Sequence, residues 1–509
     1  MPNRLKPFLR FLPVLAGIVF LFLGASLRLY RLDLMEFNLD QVTALLTARF
    51  WAARGIAQIG QMSGSGVIMP PGFMYVLHPV VLVTADPIAA AAWVAFFNVA
   101  AIWLIYRLGC LLASPRAGAW AAGLFAVHPW LIRHARIIWP QSVLPFFILL
   151  FFIVIVRCVK TSKSTAVFWA PPLAAFIWML HYSGYCVVAF FLIWFVVAAL
   201  RKKVRWGAAG AGAGGSVILL FPHLWFLYHS RFFSLRQALS GNLGEAVPPG
   251  SGILLILRQL AQTAFAGGLG HLFLPFRFEA APLSQTPLGA AQPFLNWIAT
   301  ASTVLAIVFS LAGFFALVRR GSFSREAAAW LGTAAVLPGL IYAGRGFQVP
   351  VHYYLIVVPA ILVFAGAGLD AMAPLRTGGR VLAPVLGLAV IASGVTLWLS
   401  LVGYVDRNGG TAGFYGIAYC CQEAAAERIL ELRLRQENLD THSTIDKSVG
   451  VIYLCDWLEK RKHAAQAWSP NRARLVDSLL YPAEKSREGE YNAGTAEMGP
   501  LKLWVRTEQ

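Results

Sequence analysis

Long apolar blocks alternating with short polar segments run through the first four-fifths of the chain. Eleven of them reach or approach membrane-spanning length: 11–27, 87–106, 117–131, 143–156, 166–180, 183–200, 207–227, 295–318, 326–343, 353–372 and 381–402. Crossing a hydrocarbon layer takes about 20 apolar residues in a helix, because backbone polar groups in lipid must be satisfied within their own segment. The pattern predicts an α-helical polytopic membrane protein of about eleven transmembrane helices. Two further apolar stretches, 73–84 and 252–275, are broken by Pro, Gly or Arg and read as interfacial or re-entrant helices or as extra spans. No small-residue cleavage site follows the first block, which reads as a retained helix. The Gly/Ala run 207–215 predicts a close-packing face on the seventh span. From Leu39 the apolar positions recur at helical spacing, predicting an amphipathic helix at the interface.

Past residue 403 the pattern changes. A helix-like run, Glu423–Arg435, and β-like runs at Val449–Leu454 and Leu501–Val505 predict a small α/β domain over 404–509, following a membrane domain over 1–403.

Composition agrees with the membrane class: 58% of residues are hydrophobic and 13% charged, against about 25% charged in a soluble domain. The net charge of +19 would suit a nucleic-acid binder, but its placement argues otherwise. With a cytoplasmic N-terminus, the inner segments are 1–10, 107–116, 157–165, 201–206, 319–325 and 374–380. Together they hold 17 Lys or Arg and no Asp or Glu. That is the positive-inside pattern, so the charge reports topology and no nucleic-acid partner is expected. The long loops 28–86 and 228–294 and the C-terminal domain then lie outside. Three of the six cysteines, Cys420, Cys421 and Cys455, fall in that exported part, where a disulfide could form; three leave one over.

The same topology gathers eight histidines at or near the outer side: His78, His128, His134, His181, His223, His229, His271 and His352. Each alone fits decoration of the headgroup belt, but their joint asymmetry points to an outward-facing polar cavity. No pair has metal-ligand spacing, so no metal centre is expected. Outer arginines include Arg133, Arg136, Arg231, Arg277 and Arg345. Asp40 and Gln41 open the interfacial helix; Asp40 is either its cap or a catalytic carboxylate, with Glu36 and Asp33 less favoured because they precede the helix.

The stretch LDQVTALLTARFWAARG, the segment MPPGFMYVLHP and the late RGFQVPVHYYLIVVPAILVFAGAGLD together resemble the GT-C glycosyltransferases, in the branch of protein O-mannosyltransferases and lipid A aminoarabinose transferases. The resemblance implies inverting transfer of a sugar from a polyprenyl-phosphate donor to a glycolipid, polysaccharide or protein acceptor at the outer face. It implies Asp40 as base, and Arg345, His352, Tyr353, Arg133 and Arg136 as candidates for holding the donor phosphate. Gln41, His78, His181 and Tyr182 are candidates for the acceptor or donor pocket. The donor arrives preassembled on its lipid, so no nucleotide loop is needed; a divalent-cation requirement stays open. The compactness of the chain points to a bacterial inner membrane with a periplasmic site, the endoplasmic reticulum lumen being the alternative. This chain departs from the branch in two places: the Asp-Glu pair is Asp40-Gln41, and RHARIIWPQSVLPF lacks the second acidic residue of some relatives. A lipid-linked saccharide transporter or a non-catalytic membrane scaffold are the alternative readings.

Overall fold

The computed structural model describes residues 6–62, 67–239, 252–273, 283–286, 288–344, 351–372, 376–411, 413, 415–431, 439–442, 445–462, 472–477, 493–498 and 501–506. The chain opens with α1 (Lys6–Leu29), then forms α2 (Leu39–Ala52) and α3 (Gly72–Val81) in the first long loop. The bundle continues with α4 (Pro87–Leu112), α5 (Pro115–Val127), α6 (Pro129–Ala135), α7 (Pro140–Lys160), α8 (Ala170–Leu180), α9 (Tyr185–Leu200) and α10 (Trp206–His229). Two shorter helices, α11 (Phe233–Leu239) and α12 (Gly252–Thr263), precede α13 (Gln292–Arg319), α14 (Ser322–Gly344), α15 (Val358–Met372) and α16 (Arg376–Asn408). The C-terminal segment contributes α17 (Tyr419–Glu431) and α18 (Ile445–Lys462). It also forms β1 (Leu439–His442), β2 (Arg472–Asp477), β3 (Ala493–Met498) and β4 (Leu501–Arg506). The strands make one sheet in the order β1-β2-β4-β3, parallel between β1 and β2 and antiparallel elsewhere.

This is a multi-pass membrane protein. Among the described residues, seven helices are long and apolar enough to cross a membrane. The remaining expected spans correspond to shorter or less apolar helices: 117–131, 166–180, 326–343 and 353–372. The expected span 117–131 is interrupted. His128 leaves the helical region and Pro129 starts α6, because proline is tolerated at a helix start but not in its interior. The boundary expected at Arg28 also shifts. Arg28 is in the last turn of α1, fully buried, and bonds Asn98 and the carbonyls of Gly24, Phe125 and Ala126, joining α1 to α4 and α5.

One end of the bundle is tied by charges from the short basic loops. Glu326 pairs with Arg201 and Lys203, and Asp370 with Arg116 and Arg320. Ser114 caps α5 and donates to Asp370 at 2.7 Å. These loops share one end of the molecule, as their common charge pattern requires.

Helix α13 packs closely on α15 through glycine. A Cβ on Gly313 would lie 1.8 Å from the Phe364 carbonyl oxygen, and one on Gly368 would lie 2.0 Å from that of Phe309. Gly313→Ala is therefore expected to force the helices apart at a cost of about 1–3 kcal/mol. The measurement is the melting temperature in detergent, and an unchanged value would exclude this close approach. The Gly/Ala face of α10 behaves differently from its sequence reading. Gly212 packs on the Phe168 backbone, but Gly207, Gly210, Gly214 and Gly215 face open space, because α10 meets α8 and the turn before it along one side only. The cysteines are free thiols, and Cys455 lies against the Ala426 carbonyl rather than another sulfur.

Candidate functional site

At the opposite end from the basic loops, the segment between α1 and α2 is held by two arginines from α6 and its C-cap. Arg31 is left-handed (φ 48°), and this sharp turn leaves carbonyls at the end of α1 without helical partners. Arg136 takes them up: its guanidinium donates to the carbonyls of Arg28 (3.3 Å), Tyr30 (2.5 Å) and Arg31. Arg133 donates through Nε and Nη2 to the two oxygens of Glu36, at 2.6 and 2.8 Å, with both residues only 3% exposed. The bidentate geometry is that of an ion pair. Burial pushes the Glu36 carboxyl above its ordinary range, and Arg133 acts against that rise. The remaining Arg133 nitrogen faces His134 Nε2 at 3.4 Å, and His134 Nδ1 donates to the Trp130 carbonyl. The donor groups of Arg133 and most of those of Arg136 are thus directed at protein atoms. Glu36, given second place from sequence because it precedes the helix, is the buried partner.

Two residues on, Asn38 starts α2. Its side-chain oxygen accepts the Asp40 N–H at 3.2 Å, so the cap is Asn38 and the Asp40 carboxylate does not fill that role. Asp40 lies half-buried in the first turn, where the positive end of the helix dipole favours a carboxylate. Gln41 is buried, and its carbonyl oxygen has no hydrogen-bond partner among the described residues.

The proline pair reads clearly in three dimensions. Pro71 precedes α3, and a Cβ on Gly72 would meet the Met179 backbone at 2.6 Å, so only glycine allows this turn to press against the end of α8. That contact brings Tyr182 within reach of the Ile68 carbonyl, to which its hydroxyl donates at 3.0 Å. His78, in the last turn of α3, is half-buried.

Five rings then form a continuous series. His134 stacks on Trp139 (6.4 Å, 9°), Trp139 meets His352 (4.7 Å), His352 meets Tyr353 (5.0 Å), and Tyr353 meets His181 edge-on (4.9 Å). These residues come from the ends of α6, α7 and α8 and from the turn before α15. His181 Nδ1 accepts the Ser183 backbone N–H (3.1 Å) and faces the Ser183 hydroxyl (2.8 Å), which places the ring hydrogen on Nε2. Burial pulls the His181 pKa down to about 3, so the ring is a neutral N–H donor at neutral pH. The unfolded chain binds a proton near pH 6.5 that the folded chain refuses, so stability falls as pH drops from 6.5 towards 3. His181→Gln is expected to flatten that part of a melting-temperature profile, and an unchanged slope would assign it to another group.

The other histidines that the sequence grouped here are held apart. His128 bonds the Thr263 carbonyl, His223 that of Gln58 and His229 that of Trp225. Arg231 is exposed beyond α10. Arg277 and Arg345 lie outside the described residues. Among the described residues no group of three His, Cys, Asp or Glu is placed to hold a metal ion. Trp139 and the Glu36 pairing were missed from sequence; the only local signal was the unusual polarity of RHARIIWPQ inside an apolar region.

A short-looped helical bundle, a helix carrying Asp40 after the first span and a mixed C-terminal segment make a fold shared with solved membrane enzymes. In particular, the chain is similar to ArnT from Cupriavidus metallidurans. The apo crystal structure superposes with a TM-score of 0.61 at 11% identity, over 97% of this chain and 99% of that one. The structure bound to undecaprenyl phosphate gives 0.53 at 12% identity, over 98% and 99%. An oligosaccharyltransferase from Archaeoglobus fulgidus, in complex with zinc and sulfate, gives 0.46 at 14% identity, over 86% and 57%. No protein-family description and no curated protein sequence matches the chain.

Proposed function

We propose that this protein is a membrane glycosyltransferase that moves a sugar from a polyprenyl-phosphate donor to an acceptor at the outer face of the membrane. The observation that carries this reading is the end-to-end correspondence with a fold crystallised on undecaprenyl phosphate. The position of Asp40 supports it: the carboxylate stands half-buried in the first turn of α2, whose cap is Asn38.

In the reaction proposed, the acceptor hydroxyl loses its proton to Asp40 as its oxygen attacks the anomeric carbon. The bond from that carbon to the phosphate oxygen breaks on the opposite face, so the configuration inverts and polyprenyl phosphate leaves. Departing negative charge needs N–H and O–H donors. His352, Tyr353 and Arg345, neighbours in sequence, are assigned that role, with the neutral His181 beside Tyr353 as a further donor. Arg133 and Arg136 are assigned to shaping the loop, since their guanidinium groups meet Glu36 and the end of α1. Gln41, Tyr182 and His78 remain assigned to the pocket wall. By the positive-inside rule the N-terminus is cytoplasmic and the site and C-terminal segment face the periplasm. The acceptor is a glycolipid, polysaccharide or protein.

The test is sugar transfer or hydrolysis by the purified protein across a panel of polyprenyl-phosphate pentoses and hexoses, with membrane extract as acceptor. Release of one sugar supports the reading, and no release from any donor by folded protein overturns it.

A further inference from the structure

The last span is followed by NGGTAGFYGIAY, whose glycines open a tight turn. Gly409, Gly410 and Gly416 have φ of 68°, 151° and 72°, conformations that side chains on L-residues resist. Bonds from Ala418 N–H to the Gly409 carbonyl and from Thr411 N–H to the Gly416 carbonyl, both 2.8 Å, close it. The returning strand lies against the loop that leads into α2. Glu36 and Ala418 form an antiparallel bridge, and Tyr419 N–H donates to the Met35 carbonyl at 2.9 Å. The Tyr415 hydroxyl donates to the Leu34 carbonyl.

The last attachment reaches the residue just before the Asn38 cap. Gln422, 1% exposed, donates through its amide to the Phe37 carbonyl at 2.6 Å and to the Ile417 carbonyl at 3.0 Å. The Phe37 ring lies between Tyr419 and Tyr453, with centroids 5.6 and 5.8 Å away, and the Tyr453 hydroxyl bonds the Ala85 carbonyl. This arrangement depends on Gly450 in α18. A Cβ there would lie 1.9 Å from Gln422 Oε1 and 3.2 Å from the Phe37 carbonyl oxygen. Helix α18 also packs on α2.

We propose that the C-terminal segment is a positioning element for the helix that carries Asp40, with Gln422, seated over Gly450, fixing the backbone at Phe37. Its catalytic consequence rests on the glycosyltransferase reading above; the mechanical part does not. Gln422 and Gly450 act through Asp40 and touch no reacting atom. The segment therefore couples the sheet-bearing C-terminus to the step in which the acceptor is deprotonated.

Gly450→Ala tests this in the full-length protein. Alanine favours helix over glycine, so α18 itself is not weakened, yet its methyl drives the Gln422 amide from its site. Amide hydrogen exchange over residues 38–45 is expected to speed up about tenfold, because the start of α2 loses a backbone anchor. In sugar release, kcat is expected to fall about tenfold with the donor KM within about twofold, the signature of an interaction made at the chemical step. Gln422→Leu removes the amide without adding bulk to α18 and gives the same two readouts if Gly450→Ala does not accumulate. Unchanged exchange in both variants overturns the proposal whatever the activity. Faster exchange with unchanged kcat overturns the positioning role. If the wild-type protein releases no sugar, the exchange result still decides the anchor, and the failure belongs to the glycosyltransferase reading.

Discussion

Asp40→Asn is expected to lower sugar transfer by about 10²–10⁴-fold, the range that a positioned general base contributes. The substitution is nearly isosteric and leaves the Asn38 cap in place, since that bond uses the Asp40 backbone N–H and not its side chain. Folding and donor binding should therefore be close to normal, and the loss should appear in kcat. Undecaprenyl phosphate, lacking the sugar, is the probe for the binding half: its affinity for the variant should stay within about threefold of wild type, allowing for the change of one charge in the pocket. A control separates the carboxylate from the helix start. Asn38→Ala removes the cap at a cost of about 1 kcal/mol and leaves Asp40 itself intact, so it should cost stability more than turnover. Near-normal turnover by Asp40→Asn would remove Asp40 from the reaction. Equal losses in the two variants would make the start of α2, and not the carboxylate, the sensitive feature.

Much of the architecture set by local pattern was readable from the residues, but Val449–Leu454, which reads as a strand, lies inside helix α18. Apolar block length marked α1, α4, α7, α9, α10, α13 and α16, because a span needs only its own residues to satisfy its backbone. Where a span is short or broken, length misleads: 117–131 is apolar but for His128, yet Pro129 divides it. The candidate site was readable in its composition but not in its pairings. Arg133, His134, Arg136, His181 and His352 were singled out by polarity at one end of apolar spans, and Tyr353 by the resemblance of the segment that carries it. That Arg133 closes on Glu36, 97 positions earlier, depends on how α6 packs beside α1, and no sequence period encodes it. The cap of α2 shows the same limit at short range. Asn38 and Asp40 are both good capping residues, and only the backbone, extended at Asn38, decides between them. Gln422 carried no signal at all, since its role exists only once α17 and α18 lie over Phe37.

The buried pair gives the second large effect, this time on stability. Arg133→Met is expected to destabilise the protein by about 3–5 kcal/mol, because Glu36 is left in a dry site without its partner. The cost should depend on pH in a definite direction. Burial already raises the Glu36 carboxyl, and removing Arg133 removes the main opposing influence, so the folded variant holds its proton well above the ordinary carboxylate range. Between the unfolded value of 4.5 and that raised value the folded state binds more protons than the unfolded one. Stability of the variant relative to wild type should thus recover as pH falls towards 4.5 and decline as pH rises. Glu36→Leu combined with Arg133→Met removes both charges, and should regain most of the loss at neutral pH, since an apolar pair of similar size avoids desolvating two ions. Melting temperatures of the two variants at pH 5 and 7.5 measure all of this. A pH-independent deficit in Arg133→Met would mean that packing, and not the orphaned carboxylate, carries the effect. Sugar transfer by the double variant then separates support from chemistry: a stable, active protein confines the pair to holding the loop before Asp40. A stable but inactive one would place Glu36 or Arg133 within reach of the substrate.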